Sequence, residues 1–185
     1  MLLEVFGQVF ISVATTFGYL LYYLNSKYIT LLVFNTQWSD VGGYMFGKIY
    51  GKTKFARSIS PKKTTQGVAG AIFLPTFMNG VLWLLSYCTD GRWALPLPFV
   101  EYMCLGVFCA FLSILGDLIE SFLKRCANQK DSGIALSDHG GFLDRLDIML
   151  LVFPFLYWYA INFHPEYHIK NYDFDNVNLW AFLHF

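Results

Sequence analysis

SFLKRCANQKDSGIALSDHGGFLDRLD, residues 121–147, is a polar block between two apolar runs, 103–119 and 148–161. Both runs have the character of membrane-spanning helices, so the polar block lies at a membrane face. Charged side chains next to lipid are costly, and ionisable residues near or within membrane spans are functional by default. Acidic and basic groups together at a lipid surface are typical of phosphate chemistry that uses a metal ion.

The rest of the chain is strongly apolar. Hydrophobic residues make up 56% of it and charged residues only 14%, against roughly 25% charged in soluble domains. The sequence therefore predicts an all-α, polytopic integral membrane protein, with one membrane domain over 1–185 and about five transmembrane helices near the ~20 residues that a crossing needs. The predicted membrane spans cover about residues 3–24, 29–47, 67–87, 97–119 and 146–163.

Lysine and arginine residues predict the orientation. Most of them lie in two loops, 48–63 and 124–145, while the alternate connections hold only Lys27, Arg92 and Lys170. Because cytoplasmic loops are enriched in Lys and Arg, both basic loops are predicted to face the cytoplasm. The formal net charge is +0, so this basicity is local.

The second predicted span combines an acid with regularly spaced glycines. Asp40 is a carboxylate inside an apolar segment, where burial penalises its charged form unless a cation or metal compensates; a hydrogen bond between helices is the alternative explanation. Gly43, Gly47 and Gly51 recur every four residues, which close helix packing explains.

The loop after this span carries Ser60, Pro61, Lys62 and Lys63, a rigid turn followed by two ammonium groups. Lysine is a flexible point charge that suits a mobile phosphate. A basic juxtamembrane run that attracts anionic lipids is the alternative.

Three carboxylates from two adjacent helices are candidates for a metal site. Asp117 shares one helix face with Glu120, Ser121 and Lys124, which follow it by three, four and seven positions. Asp144 and Asp147 share a face of the next helix, where the helix dipole alone also favours acids. Together the three carboxylates offer an oxygen cage suited to Mg²⁺.

The remaining polar residues suit phosphate binding. The backbone of the glycine pair after His139 is able to approach a phosphate closely, and the basic residues supply the positive charge that phosphoryl-type transfer needs. A charged hairpin without catalysis is the alternative. The residues concerned are Gly140 and Gly141, with Lys124, Arg125, Lys130 and Arg145.

This block resembles the signature of the CDP-diacylglycerol synthases, or phosphatidate cytidylyltransferases. The signature is S-x-x-K-R, then a K-D pair after four residues, then H-G-G-x-x-D-R-x-D. GDLIES (116–121) and ISPKKT (59–64) also resemble the family, so the similarity covers about residues 34–162. The matching positions are Ser121, Lys124, Arg125, Lys130, Asp131, His139, Gly140, Gly141, Asp144, Arg145 and Asp147.

The resemblance implies transfer of CMP from CTP to phosphatidate, giving CDP-diacylglycerol and pyrophosphate at the cytoplasmic face of a lipid bilayer. It implies Mg²⁺ and no nucleic-acid partner; a second cation and a homodimer stay open. The membrane would be a bacterial inner membrane, the endoplasmic reticulum or an organelle membrane.

Roles for individual residues also follow from the resemblance. Asp117, Asp144 and Asp147 would bind Mg²⁺. The catalytic set would be Lys124, Arg125, Lys130, Asp131, His139 and Arg145. The substrate-binding set would be Asp40, Ser60, Lys62, Lys63, Ser121, Gly140 and Gly141.

Two departures from the family pattern lead to expectations. Gln66 and Ala71 stand where the family usually has Glu and Gly, which predicts a weaker hydrogen bond or packing contact near the basic loop. Family members generally carry further membrane helices before this point, so the chain is expected to correspond to their C-terminal part.

Other functions remain as alternatives. A CTP-dependent lipid kinase of the dolichol-kinase type should lack the full H-G-G-x-x-D-R-x-D pattern, and a CDP-alcohol phosphatidyltransferase needs a D-G-x-x-A-R run that this sequence does not contain. A membrane transporter would explain Asp40 and Asp117 as ion-pathway residues, but its charges should cluster near the bilayer midplane. A catalytically inactive scaffold is disfavoured by the intact acids.

Overall fold

The predicted helical architecture is confirmed. The computed structural model describes residues 2–56, 60, 63–126 and 148–164, with side chains from residue 8 onward. Apart from one antiparallel bridge between Lys54 and Thr64, these ranges contain no β structure. A helical turn at 148–150 precedes the last helix. The helices are α1 (Leu2–Leu24), α2 (Ser26–Tyr50), α3 (Thr65–Cys88), α4 (Phe99–Cys126) and α5 (Val152–Phe163).

The outer surface of the bundle is apolar. Within the described ranges, α3 and α4 are long and apolar enough to cross a membrane, and the apolar helical segments Gln8–Leu24 and Ile148–Phe163 are shorter. Phe73 and Phe77 are each 60% exposed. Large contiguous apolar patches are rare on soluble monomers, whereas lipid chains cover them in a bilayer. The surface is that of a polytopic membrane protein.

Side-chain caps fix where α2 and α3 begin. Asn25 Oδ1 accepts a hydrogen bond from the backbone N–H of Lys27 at 3.0 Å. Thr64 Oγ1 accepts one from the backbone N–H of Gly67 at 3.1 Å. Such caps satisfy donors that the first helical turn leaves unpaired. The loop between α2 and α3 therefore ends at a defined residue.

Helices α2 and α3 pack through glycines. A Cβ added to Gly42 would lie 2.3 Å from the backbone oxygen of Gly70, and a Cβ on Gly67 would lie 2.9 Å from the backbone oxygen of Gly43. A Cβ on Gly47 would lie 3.5 Å from the Cα of Gly67. Only glycine allows the closest of these approaches. Close helix packing, expected from the glycine spacing, is confirmed.

The solid core fills the half of the bundle where α2 and α4 begin. Tyr28 and Tyr102 are fully buried there. The connection from α3 to α4 also belongs to this core, since its Leu95 is only 1% exposed. The Leu95 carbonyl accepts hydrogen bonds from the hydroxyls of Ser86 at 2.7 Å and Tyr102 at 2.6 Å. This end of the bundle is closed.

Two buried asparagines join α2, α3 and α4. Asn79 Nδ2 donates to Asn35 Oδ1 at 2.9 Å and to the Tyr102 carbonyl at 2.9 Å. Asn35 Nδ2 in turn donates to the Leu31 carbonyl at 2.8 Å. Both asparagine side chains are fully buried. Burying an amide costs free energy unless it is hydrogen-bonded, and here each amide has partners from its neighbours.

We expect Asn79→Leu to lower the free energy of unfolding by about 1–2 kcal/mol, because Asn35 then keeps a buried amide with fewer partners. The double variant Asn35→Leu/Asn79→Leu should cost less than the sum of the two single changes. Thermal unfolding in detergent measures both effects, with the exposed Asn162→Leu as control. Additive losses would contradict a coupled pair.

Candidate active site

A cavity of ≈ 420 Å³ lies in the other half of the bundle, between α2, α3 and α4. Gly43 and Gly47 of α2 line it, as does Gly67 of α3, and Ile148 contributes from the turn before α5. The α4 residues that line it are Ser113, Ile114 and Asp117. On the α2–α3 side the glycines leave little side-chain bulk, and the cavity wall there is formed close to the backbone. The cavity lies at the end of the bundle where α2 and α4 end and α3 begins.

An ion pair lies in the cavity wall. Lys63 forms a salt bridge with Asp117, and their side chains are 22% and 32% exposed. Ser121 Oγ donates a hydrogen bond to Asp117 Oδ1 at 3.3 Å. The structure thus brings together three residues that the sequence predicted for the site. The carboxylate predicted to bind a metal already lies against a cation and a hydroxyl donor.

A short hairpin presents Lys63 to the cavity. The backbone N–H of Phe55 donates to the Lys63 carbonyl at 2.9 Å, and the N–H of Thr65 donates to the Thr53 carbonyl at 3.0 Å. These bonds continue the bridge between Lys54 and Thr64. The backbone of Lys63 is therefore held in register with the opposite side of the hairpin.

Gln66 fastens this hairpin to the first turn of α3. Its Oε1 accepts hydrogen bonds from the backbone N–H groups of Lys52 at 3.1 Å and Thr53 at 3.3 Å, and from Thr53 Oγ1 at 3.2 Å. The amide oxygen thus supplies the acceptor that a glutamate would supply. The expectation that these bonds are weaker than with Glu stays a prediction.

Other predicted residues fall into two groups. Asp40 lines the cavity with Lys63 and Asp117. At the end of α4, Lys124 lies 2.5 Å from Glu120 in an i, i+4 ion pair, and Arg125 is exposed. Within the described part of the chain, Ser60, Ser121, Lys124 and Arg125 are not in the cavity wall.

Several predictions concern residues outside the described ranges. Among the residues that the structure does describe, no three His, Cys, Asp or Glu side chains gather as a metal site. Asp117 is the member of the predicted Mg²⁺ set that falls within them, so that set stays a prediction. The predicted residues outside the described ranges are Lys62, Lys130, Asp131, His139, Gly140, Gly141, Asp144, Arg145 and Asp147.

Sequence reasoning missed Ser39, Ser113 and Lys48, which also line the cavity. Lys48 Nζ lies 3.3 Å from the hydroxyl of Tyr44. The helical period is the signal that would have found the serines, since Ser39 and Ser113 stand one turn before Gly43 and Asp117. Lys48 was assigned only to the basic loop.

Comparison with known proteins identifies the family. The model of the Cytidylyltransferase family matches residues 1–163. The phosphatidate cytidylyltransferase of Bacillus subtilis is 42% identical over 122 residues, which are 65% of this chain and 43% of that protein. The enzymes of the same name from Synechocystis and Aquifex aeolicus are 38% and 33% identical, each over 72% of this chain, covering 43% and 47% of those proteins.

The chain spans less than half the length of these curated relatives. The matched region nevertheless includes every residue of the cavity described above. The family match, the identities and the helical membrane fold agree, and the chain belongs to the cytidylyltransferase family.

Proposed function

We propose that this chain holds a phosphatidate cytidylyltransferase site, which transfers CMP from CTP to phosphatidate and releases pyrophosphate. One observation carries the proposal: the Lys63–Asp117 ion pair lies in the wall of a cavity at the end of the bundle where acidic and basic groups converge. The names of the related enzymes support the same reaction.

The proposed reaction is a displacement at phosphorus. A phosphate oxygen of the lipid attacks the α-phosphorus of CTP, a new P–O bond forms, and the bond to the oxygen that bridges to the β-phosphate breaks. Phosphate monoesters have a second pKa of about 6, so the attacking group is largely ionised at neutral pH and needs no strong base. The site has to align two anions and neutralise their charge.

The described residues suit these tasks. The Lys63 ammonium would bind a substrate phosphate, and Lys48 would add positive charge at the same wall. Asp40 belongs to the substrate-binding set through the resemblance. The Asp117 carboxylate fits a cation ligand, since it already pairs with an ammonium group. Mg²⁺ held by Asp117, Asp144 and Asp147 would neutralise phosphate charge.

The other predicted groups belong to the proposal through the family resemblance alone. The basic groups and the His139-Gly140-Gly141 loop would hold phosphates at the cytoplasmic face of the bilayer, and Asp131 would belong to the catalytic set. These groups are Lys62, Lys124, Arg125, Lys130, Asp131, His139, Gly140, Gly141 and Arg145.

A transfer assay tests the proposal. The chain, reconstituted in vesicles, is incubated with phosphatidate and CTP labelled at the α-phosphate, and labelled lipid is extracted. We expect label to enter the lipid, EDTA to stop this, and UTP or ATP to compete poorly because a site with buried base contacts rejects other bases. Equal use of all nucleotides would sink the cytidylyltransferase assignment. Label that enters the lipid from CTP labelled at the γ-phosphate, and not from CTP labelled at the α-phosphate, would favour the lipid-kinase alternative.

We expect Gln66→Ala to raise the KM for the anionic substrates about tenfold with a smaller effect on kcat, because the hairpin that presents Lys63 loses its anchor. Gln66→Glu should restore the wild-type KM, since a carboxylate accepts the same hydrogen bonds. Initial-rate measurements over a range of both substrates distinguish the two parameters. Equal KM values for the Ala and Glu variants would contradict the anchoring role.

A further inference from the structure

Two buried hydroxyls at the cavity have no hydrogen-bond partner within the described residues. Ser39 is 3% exposed and Ser113 is 1% exposed, and both line the cavity. Other hydroxyls in these helices are bonded: Thr36 Oγ1 donates to the Leu32 carbonyl at 3.1 Å and Thr76 Oγ1 to the Ile72 carbonyl at 2.7 Å. The two serine hydroxyls make no such bond within the described residues and lie at the cavity, so they suit an incoming polar group.

Both serines lie deeper in the bundle than the ion pair. Ser113 precedes Asp117 by one turn on the same face of α4, which places it about 6 Å further along the axis. Ser39 stands one turn before Gly43 on α2. Both helices run towards the basic end, with Lys48 and Lys124 in their last turns. The hydroxyls therefore face the part of a ligand that lies on the membrane side of its anionic group.

Most groups near the hydroxyls are apolar. Val68, Ala71 and Ile114 line the cavity with the serines, and the one charged lining residue beside them is Asp40, which follows Ser39 on α2 and is exposed. The inner wall thus offers two neutral donors among apolar groups, with the cations Lys48 and Lys63 nearer the basic end. A diacylglycerol phosphate has the matching order of groups: an anionic phosphate, ester carbonyls a few bonds further, then acyl chains. A nucleoside carries many more polar atoms and would leave most of them unpaired here.

We propose that the hydroxyls of Ser39 and Ser113 donate hydrogen bonds to an ester carbonyl of the lipid substrate, and that the site thereby selects diacyl over dialkyl lipids. This inference rests on the proposed phosphatidate substrate. It makes the two serines specificity-determining residues. They act on recognition of the glycerol backbone and leave the phosphate displacement itself to the charged groups.

The test compares diacyl phosphatidate with its dialkyl ether analogue of equal chain length, using the full chain in vesicles. The wild type should show about tenfold higher kcat/KM for the diester, which corresponds to about 1.4 kcal/mol. Ser39→Ala/Ser113→Ala should remove this preference by raising the KM for the diester. The KM for CTP and the rates with the ether lipid should stay unchanged.

Two controls accompany the double variant. Ser86→Ala removes a buried hydroxyl that is bonded at the closed end of the bundle, and it should keep the diester preference. Ser113→Thr retains a hydroxyl in the cavity and should also keep it. The Thr variant gives a folded comparison if the Ala variant proves unstable.

A binding measurement without CTP separates this inference from the proposed function. Diester and ether lipids are titrated into detergent-solubilised protein and followed by native mass spectrometry. Discrimination that the double variant abolishes, in a chain that transfers no CMP, would support the serines and overturn the cytidylyltransferase proposal. Three outcomes would overturn the ester contact in a chain that does transfer CMP: no preference for the diester, a preference that survives in the double variant, or equal losses for both lipids. The serines would then have only packing roles or bonds to water.

Discussion

Asp117→Asn is expected to reduce CMP transfer at least a hundredfold, equivalent to about 2.7 kcal/mol of transition-state stabilisation. Asparagine keeps the shape of the side chain but removes the charge that pairs with Lys63 and that would bind Mg²⁺. Initial rates with labelled CTP measure the loss. Asp90→Asn, at the closed end of the bundle, serves as the control and should remain fully active. An Asp117→Asn protein that keeps more than about a tenth of its turnover would contradict the proposed role.

A charge swap distinguishes a catalytic from a structural ion pair. Each single change, Lys63→Asp or Asp117→Lys, puts two like charges across this contact and should lower thermal stability. The double variant Lys63→Asp/Asp117→Lys restores opposite charges, so its thermal stability should return towards that of the wild type. Activity should not return, because the carboxylate then sits on the hairpin and the ammonium on α4. Recovery of both properties would mean that the pair only holds the hairpin against α4.

Gly42→Ala should lower the free energy of unfolding by about 3 kcal/mol, at the upper end for an overpacked site. Its Cβ would lie 2.3 Å from the backbone oxygen of Gly70, and backbone cannot move aside without separating α2 from α3. We expect the same change to reduce CMP transfer, since these helices form one side of the cavity. Thermal unfolding in detergent gives the stability change.

Gly80→Ala is the matched control for this crossing. A Cβ there would meet the Met103 methyl group at 3.6 Å, an ordinary contact, and alanine is the better helix former. The control should be neutral or slightly stabilised. Equal stability of the two alanine variants would show that the glycine crossing tolerates a side chain.

The helices were predictable because hydropathy and length report directly on burial in a bilayer. The second predicted span and its helix do not end at the same residue: α2 continues to Tyr50 and is capped at Gly51, beyond the span boundary predicted at about residue 47. The apolar run is interrupted at Lys48, before the helix ends. Hydropathy locates the first of these points, and the cap residue locates the second.

The site was predictable as residues and not as contacts. Asp117 and Lys63 both belong to the predicted site, but their pairing depends on where the hairpin after α2 lies against α4, which the sequence pattern does not give. The same limit applies to Asn35 and Asn79. Each lies within an otherwise largely apolar helix, and which residue faces it is decided by the packing of whole helices.

The glycine face between α2 and α3 has a thermodynamic consequence for ligands. A protein side chain that becomes fixed against a ligand usually loses conformational entropy because it can no longer change rotamer. The loss costs as much as about 1.5–2 kcal/mol for long residues. Gly43, Gly47 and Gly67 have no rotamers to lose. A lipid or nucleotide that rests against this part of the wall meets a surface already in its final shape, so more of the contact energy is available for affinity.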